Sequence, residues 1–241
     1  MTTGFIYCQK VQNMFTHTTA LDSPDLDALL NAFPEEFVKI SPKEQAMAIA
    51  LYRLLALGES VSHQHLAEVS STPVAEVHRL LGQWLGVYHD DAENVTGFWG
   101  LALGEMPHKL LIDGRELYAW CAWDTLFLPA LIGNTVQVIS QCTQSGKEIQ
   151  LIIDPEHIAS VYPETTVLSF VMPDENGIRE DVINSFCHSV LFFATSELGE
   201  QWVAEHPENF LISVENAFEL AQMINHRKFP GLMTQYRNGV S

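Results

Sequence analysis

The sequence predicts an α+β protein, with helices first and a small mixed or antiparallel sheet with packed helices after them. Three observations predict it. Apolar residues recur at helical spacing from Leu26 to Trp84. Beyond Gly133 the pattern changes to short runs rich in Val, Ile and Thr around turn residues. Ser, Pro and Gly punctuate the chain where one pattern gives way to the next.

The elements follow in order. Residues 1–25 are polar and mixed, ending in the turn cluster Asp22-Ser-Pro-Asp25. Leu26, Leu29, Leu30 and Phe33 then fall on one helical face, and Pro34 stops the run. Ser41, Pro42 and Glu44 read as an N-cap, a first-position proline and a capping-box glutamate. They open a helix carrying Ala46, Ile49, Ala50, Leu54 and Leu55, which ends at Gly58. From Ser62 to Trp84 the pattern is helix, turn at Ser70-Ser-Thr-Pro73, helix, and the second stripe is Val74, Val77, Leu80, Leu81 and Trp84. The polar stretch Tyr88–Gly97 reads as a hairpin. Three helices and a two-stranded wing make a winged-helix-like domain at 41–105, between an N-terminal extension (1–40) and a second domain (106–241).

Within the second domain, Arg115–Leu131 reads as one largely buried helix that Pro129 ends or kinks. Thr135–Ser140 and Glu148–Ile153 flank the turn at Gln144-Ser-Gly146 as a hairpin, and Thr165–Val171 and Ser189–Thr195 read as further strands. Glu197–Glu205 and Val214–His226 read as helices.

Composition excludes several classes of function. Twelve basic residues against 30 acidic give a net charge of −18, the wrong sign for a phosphate backbone or an anionic membrane surface. The helix-turn-helix pattern is therefore read as scaffold, since its second helix offers only Arg79 beside Glu76. No run of 18 apolar residues exists and the N-terminus lacks a basic start with an apolar core, so a cytoplasmic chain is expected. The four cysteines, Cys8, Cys121, Cys142 and Cys187, are widely spaced and form no CxxC pair, which favours metal or catalytic use over disulfides. No G-x-S-x-G, H-E-x-x-H, P-loop or G-x-G-x-x-G is present. His63 and His65 would share a face of a strand but not of a helix, so their spacing makes no metal site. His188 follows Cys187 directly and, on a strand, would point to the opposite face, a poor position for its base.

Cys121 and Asp124 stand apart. Read as i and i+3 of a helix, they share one face. Spacing alone leaves two readings open, a buried core thiol beside a helix-face carboxylate, or a site. Asp124 tips the balance, because a carboxylate among Trp120, Trp123, Leu126 and Phe127 is costly unless paired or used. Desolvation should raise its pKa, as a proton shuttle requires. Cys142, between strand and turn, reads as structural.

The segments Tyr118–Gly133 and Ser185–Ala194, which hold Cys121 with Asp124 and Cys187, resemble the two signature segments of bacterial organomercurial (alkylmercury) lyases. The resemblance runs from about Lys43 to the mid-220s, through Cys142 and the helix of Ser213–Phe218. It implies a winged-helix-like domain joined to a small mixed sheet with helices. It implies a triad of Cys121, Asp124 and Cys187, the mercury ligands and catalytic residues alike, and a mainly structural Cys142. Two departures stand out: His188 takes the place of a second cysteine found after the counterpart of Cys187 in many members, and the extension holding Cys8 is longer.

The resemblance further implies protonolysis of a carbon–mercury bond in small organomercurials, giving a hydrocarbon and Hg²⁺. Two soft thiolates would grip mercury and Asp124 would carry the proton. No organic cofactor is implied; cellular thiols or a mercuric reductase would accept the Hg²⁺. Two rivals remain at this point, a winged-helix soft-metal sensor that contacts DNA and a relative that acts on organotins or sequesters mercury.

Overall fold

The computed structural model describes residues 24–232, so the expectations for residues 1–23, Cys8 among them, lie outside the described residues. Asp25 accepts a hydrogen bond from the Ala28 N–H and caps α1 (Leu26–Ala32), which buries Leu29 and Leu30; α2 (Glu35–Val38) follows Pro34. The capping box forms as the sequence indicates. Ser41 caps α3 (Pro42–Leu55), and the Glu44 carboxylate reaches back to the Ser41 N–H at 2.9 Å. The face of α3 that packs inward is Met47, Ala48, Leu51, Tyr52 and Leu55, whereas Ala46 is exposed. The expected stripe was rotated because alanine at 46 and 50 carries too little apolar area to decide a helix face.

Next come α4 (His63–Ser70), capped by Ser62, and α5 (Val74–Leu81), which starts after Pro73. The stretch read as a hairpin forms the antiparallel pair β1 (Val87–His89) and β2 (Val95–Phe98), tied to the first part of the chain by a bridge between Val61 and Val95. This hairpin is the edge of a larger sheet. With β3 (Leu101–Ala102), β4 (His108–Ile112), β5 (Arg115–Ala119), β6 (Val136–Gln141), β7 (Glu148–Ile153) and β8 (Ile158–Tyr162) it forms one eight-stranded antiparallel sheet, ordered β1-β2-β3-β5-β4-β6-β7-β8. The sheet runs unbroken through residue 105, since β3 pairs with β5.

A second sheet has β9 (Val167–Val171) at its centre, between β10 (Phe192–Phe193) and β11 (Asn209–Ser213). Among helices, α6 (Asp124–Ile132) is buried along its whole length, and α7 (Glu175–Ser185), α8 (Ser196–Glu205) and α9 (Val214–Lys228) complete the fold. The α9 helix holds α6 through two buried bonds: the Trp123 indole N–H donates to the Ala217 carbonyl, and the Asn225 amide donates to the Phe127 carbonyl. Among the described residues no helix is long and apolar enough to cross a membrane.

Three expectations need correction. Arg115–Leu131 is not one helix: its first five residues are β5, whose inward residues Leu117 and Ala119 alternate with polar ones, and the helix begins only at Asp124. Pro129 does not end that helix, which continues to Ile132 and stops at Gly133 in the left-handed conformation (φ 88°). The strand expected over Ser189–Thr195 shrinks to Phe192–Phe193, because Cys187–Ser189 is a 3-10 turn. The helix Glu175–Ser185 and the strands β4, β8 and β11 had no counterpart in the sequence reading.

Candidate active site

Two backbone segments far apart in sequence build the site, and a main-chain bond ties them together. Cys121 lies in the turn between β5 and α6, and Cys187 opens the 3-10 turn after α7. The Ala122 N–H donates to the Val190 carbonyl at 3.1 Å, locking the two turns side by side. The Cys187 turn is anchored in its own sheet, where the Ser169 hydroxyl of β9 donates to the Ser189 carbonyl and accepts from the Leu191 N–H.

Asp124 is the first residue of α6, where the free N–H groups and the helix dipole both favour a carboxylate. Its Oδ2 accepts the Cys121 N–H at 2.8 Å. Cys121 and Asp124 thus share the site through a turn and a helix start, and not through one helix face as their spacing predicted. The ligand atoms of Cys121, Asp124 and Cys187 all lie within 4.8 Å of one another, and all three residues are buried.

The electrostatics of these groups are set by burial. Asp124 is pushed up from 3.8 to about 7 by desolvation, which outweighs the hydrogen bonds from the Cys121 thiol and from the backbone at Cys121 and Trp120. Burial also pushes the Cys121 thiol well up, helped by its hydrogen bond to Cys187 and by the charge of Asp124. At Cys187 the Cys121 hydrogen bond favours the thiolate, but burial and the charges of Asp124 and Asp181 prevail and the pKa is raised. Asp124 is therefore the most acidic of the three, and its carboxylate is the base available to a neighbouring thiol.

A small apolar cavity of about 30 Å³, lined by Asp124 and Cys187 but not by Cys121, has room for roughly two waters. Trp120, Trp123 and Phe127 line it as the sequence indicated, and Phe37, Leu85, Trp99, Gly100, Ile178, Val182 and Phe186 line it too. Phe33 packs on two of the lining residues, stacked on Trp123 at 5.4 Å and edge-on to Phe186 at 5.7 Å. A groove of about 470 Å³ shares Phe37, Leu85 and Trp99 with the cavity and is rimmed by Lys39, Ser41, Glu44 and Gln83. Trp99 divides the two spaces. Among the described residues its buried indole N–H has no hydrogen-bond partner, and its ring centre lies 3.0 Å from the Lys228 amine.

Sequence reasoning missed the Trp99–Gly100 turn altogether. Gly100 has φ +91°, and a Cβ there would meet the Asp124 Cγ and Oδ1 at 2.8 Å. The Tyr52 hydroxyl holds the turn by donating to the Trp99 carbonyl, and the Gly100 carbonyl accepts the Trp120 N–H. The one signal in the sequence was a Trp-Gly pair at a strand end, which does not by itself mark a site.

Other candidates fall outside this constellation. The His188 ring is exposed while Cys187 is buried, so it is no base for that thiol, although the reason is the 3-10 turn and not an opposed strand face. Cys142 sits where β6 meets its turn. Burial opposes its thiolate, but the Ser145 hydroxyl and the N–H groups of Ala194, Ser145 and Gln144 outweigh that and lower its pKa.

The sequence matches the family model for alkylmercury lyase (MerB) over residues 101–226. It is 41% identical over 177 residues to the alkylmercury lyase of Bacillus cereus, covering 73% of this chain and 79% of that one. It is 38% identical over 194 residues to the Pseudomonas putida alkylmercury lyase, covering 80% and 86%. The fold superposes on the crystal structure of the mercury-bound form of MerB2 with a TM-score of 0.68, at 21% identity, over 83% of this chain and 98% of that one.

Proposed function

The chain belongs to the alkylmercury lyase family, and from that premise we propose that Cys121, Asp124 and Cys187 carry out protonolysis of a carbon–mercury bond. The observation that carries the assignment is the meeting of two buried thiols and a carboxyl of pKa about 7 within 4.8 Å of one another, beside an apolar cavity that Asp124 and Cys187 line.

The steps follow from the donor set. Mercury is soft, so a thiol site outcompetes oxygen and nitrogen donors for R–Hg⁺. An organomercurial arriving as its thiol adduct exchanges that thiol for one cysteine of the site and releases the free thiol. The Asp124 carboxylate takes the proton of the second cysteine, and the new thiolate adds to mercury. The added sulfur raises electron density on the metal and pushes it towards the bound carbon. Protonated Asp124 then delivers the same proton to that carbon. The carbon–mercury bond breaks with its electron pair going to carbon, the hydrocarbon R–H leaves, and Hg²⁺ remains on two sulfurs. The dry aromatic walls keep Asp124 in the range where it can both take and give the proton.

The rest of the assignment is read in the same frame. The groove beside Trp99 is the route by which the thiol adduct reaches the cavity. Residues 41–105 serve as a winged-helix-like scaffold, and the segment before them supplies Phe33 and Phe37 to the cover. The reaction uses no organic cofactor, takes place in the cytoplasm, and hands Hg²⁺ to cellular thiols or a mercuric reductase. Hydrocarbon release from methylmercury or phenylmercury with excess thiol tests the assignment. Cys121→Ser and Cys187→Ser should each fall to background, and a wild-type rate in either sinks it. Asp124→Ala should bind mercury yet release no hydrocarbon.

A further inference from the structure

The fold gathers three histidines from three elements at a place that does not line the reactive cavity. His63 is the first residue of α4, His78 lies on α5, and His89 ends β1. The Nδ1 atoms of His63 and His78 face each other at 3.4 Å. The His63 ring lies 5.4 Å from that of His78 and 5.7 Å from that of His89, centre to centre. The register of the hairpin shifts between Tyr88 and His89, an irregularity of the kind that re-aims a side chain.

We propose that His63, His78 and His89 form a second metal site, for a borderline divalent ion such as Zn²⁺, clamping the helix-turn-helix to the hairpin. A separation of 3.4 Å is long for a hydrogen bond between two ring nitrogens. It is the spacing of two ligands on a tetrahedral ion, about 3.4 Å for Zn–N bonds of about 2.0–2.1 Å. The His89 ring stands edge-on 5.7 Å from that of His63, and its nitrogens are not gathered with the other two as the Cys121, Asp124 and Cys187 ligand atoms are, so binding requires it to turn about its side-chain bonds. Among the described residues, the His63 Nε2 is buried without a hydrogen-bond partner.

The surroundings suit a cation. The Glu93 carboxylate acts on His63 from the hairpin tip, and Arg79, the cation next to His78 in sequence, is turned away to Glu76 and Gln83. Imidazole ligands suit Zn, Cu and Ni. The ring spacing His63–His65 makes no site; the crossing of α4, α5 and the hairpin does.

Zinc titration of the full chain carrying Cys121→Ser and Cys187→Ser tests the proposal without interference from the thiol pair. The expected result is one equivalent of Zn²⁺ bound, with the ring NMR signals of all three histidines shifted and the melting temperature raised. Each of His63→Ala, His78→Ala and His89→Ala should weaken binding by about tenfold or more. In the chain with its cysteines intact, the same variants should keep wild-type hydrocarbon release, which shows that they fold. Absence of zinc binding, or affinity unchanged by any one of the three replacements, overturns the proposal and leaves the lyase assignment untouched.

Discussion

Replacing Gly100 with alanine should disable proton delivery while leaving both mercury-binding thiols in place. The added Cβ would lie 2.8 Å from the Asp124 Cγ and Oδ1 and 3.0 Å from its Cβ, well inside the ordinary contact distance of about 3.5–4.0 Å. The carboxyl cannot simply swing aside, because Oδ2 is held by the Cys121 N–H at 2.8 Å. Moving the backbone instead strains the turn that Tyr52 and Trp120 hold. Overpacking of this kind costs about 1–3 kcal/mol, and an L-residue at φ +91° adds about 1–2 kcal/mol. For the reaction, displacing the proton donor by even about 1 Å costs on the order of 100-fold.

Two controls separate these causes. Gly114 also has positive φ (+78°) but an added Cβ meets nothing within 4 Å, so Gly114→Ala reports the backbone strain alone; Gly104→Ala, with neither burden, should be silent. The assays are single-turnover hydrocarbon release, Hg²⁺ retained after gel filtration, and urea unfolding. Gly100→Ala should retain Hg²⁺ and lose release by about two orders of magnitude. Wild-type release, or a loss no greater than in Gly114→Ala, refutes the idea that this turn positions Asp124.

Further outcomes follow from the same geometry. Because Asp124 is raised from 3.8 to about 7 in the folded state, its contribution is most favourable below pH 3.8 and is lost as pH rises through 7. Asp124→Asn should therefore gain on the wild type by up to about 4 kcal/mol between pH 4 and 8; urea midpoints that keep a constant difference across that range contradict this. Phe33→Ala should cost about 3–5 kcal/mol and slow release by admitting water, whereas unchanged unfolding midpoints would mean that Phe33 does not cover the cavity. Cys142→Ala should release hydrocarbon at the wild-type rate, and loss of turnover in a folded variant would bring Cys142 into the chemistry.

The residue types and local signals were legible in the sequence. Ser41 with Glu44 announces a helix start, and a carboxylate among tryptophans announces either a cost or a use, because these effects act within a few residues. The carboxylate signal pointed to Asp124 with Cys121 beside it, and Cys187 joined them through the family resemblance. The route by which they meet was not legible. Spacing suggested a shared helix face, yet β5 runs to Ala119, because its alternating burial pairs it with β3 and β4. Whether a short aromatic run becomes helix or strand depends on its partners, and local propensity cannot supply them.

Sequence by itself determined the chemistry: two thiols, one carboxyl, and apolar neighbours able to raise its pKa. Tertiary structure alone decided that the Ala122–Val190 bond brings the two cysteine turns together, that Gly100 presses its backbone on Asp124, that Phe37 lines the cavity, and that Phe33 stacks on Trp123. It also decided that His63 meets His78 and His89. The physical reason is common to all of these: each is a contact between segments far apart in the chain. Such contacts are fixed by the packing of whole elements, and no stretch of local sequence contains both partners.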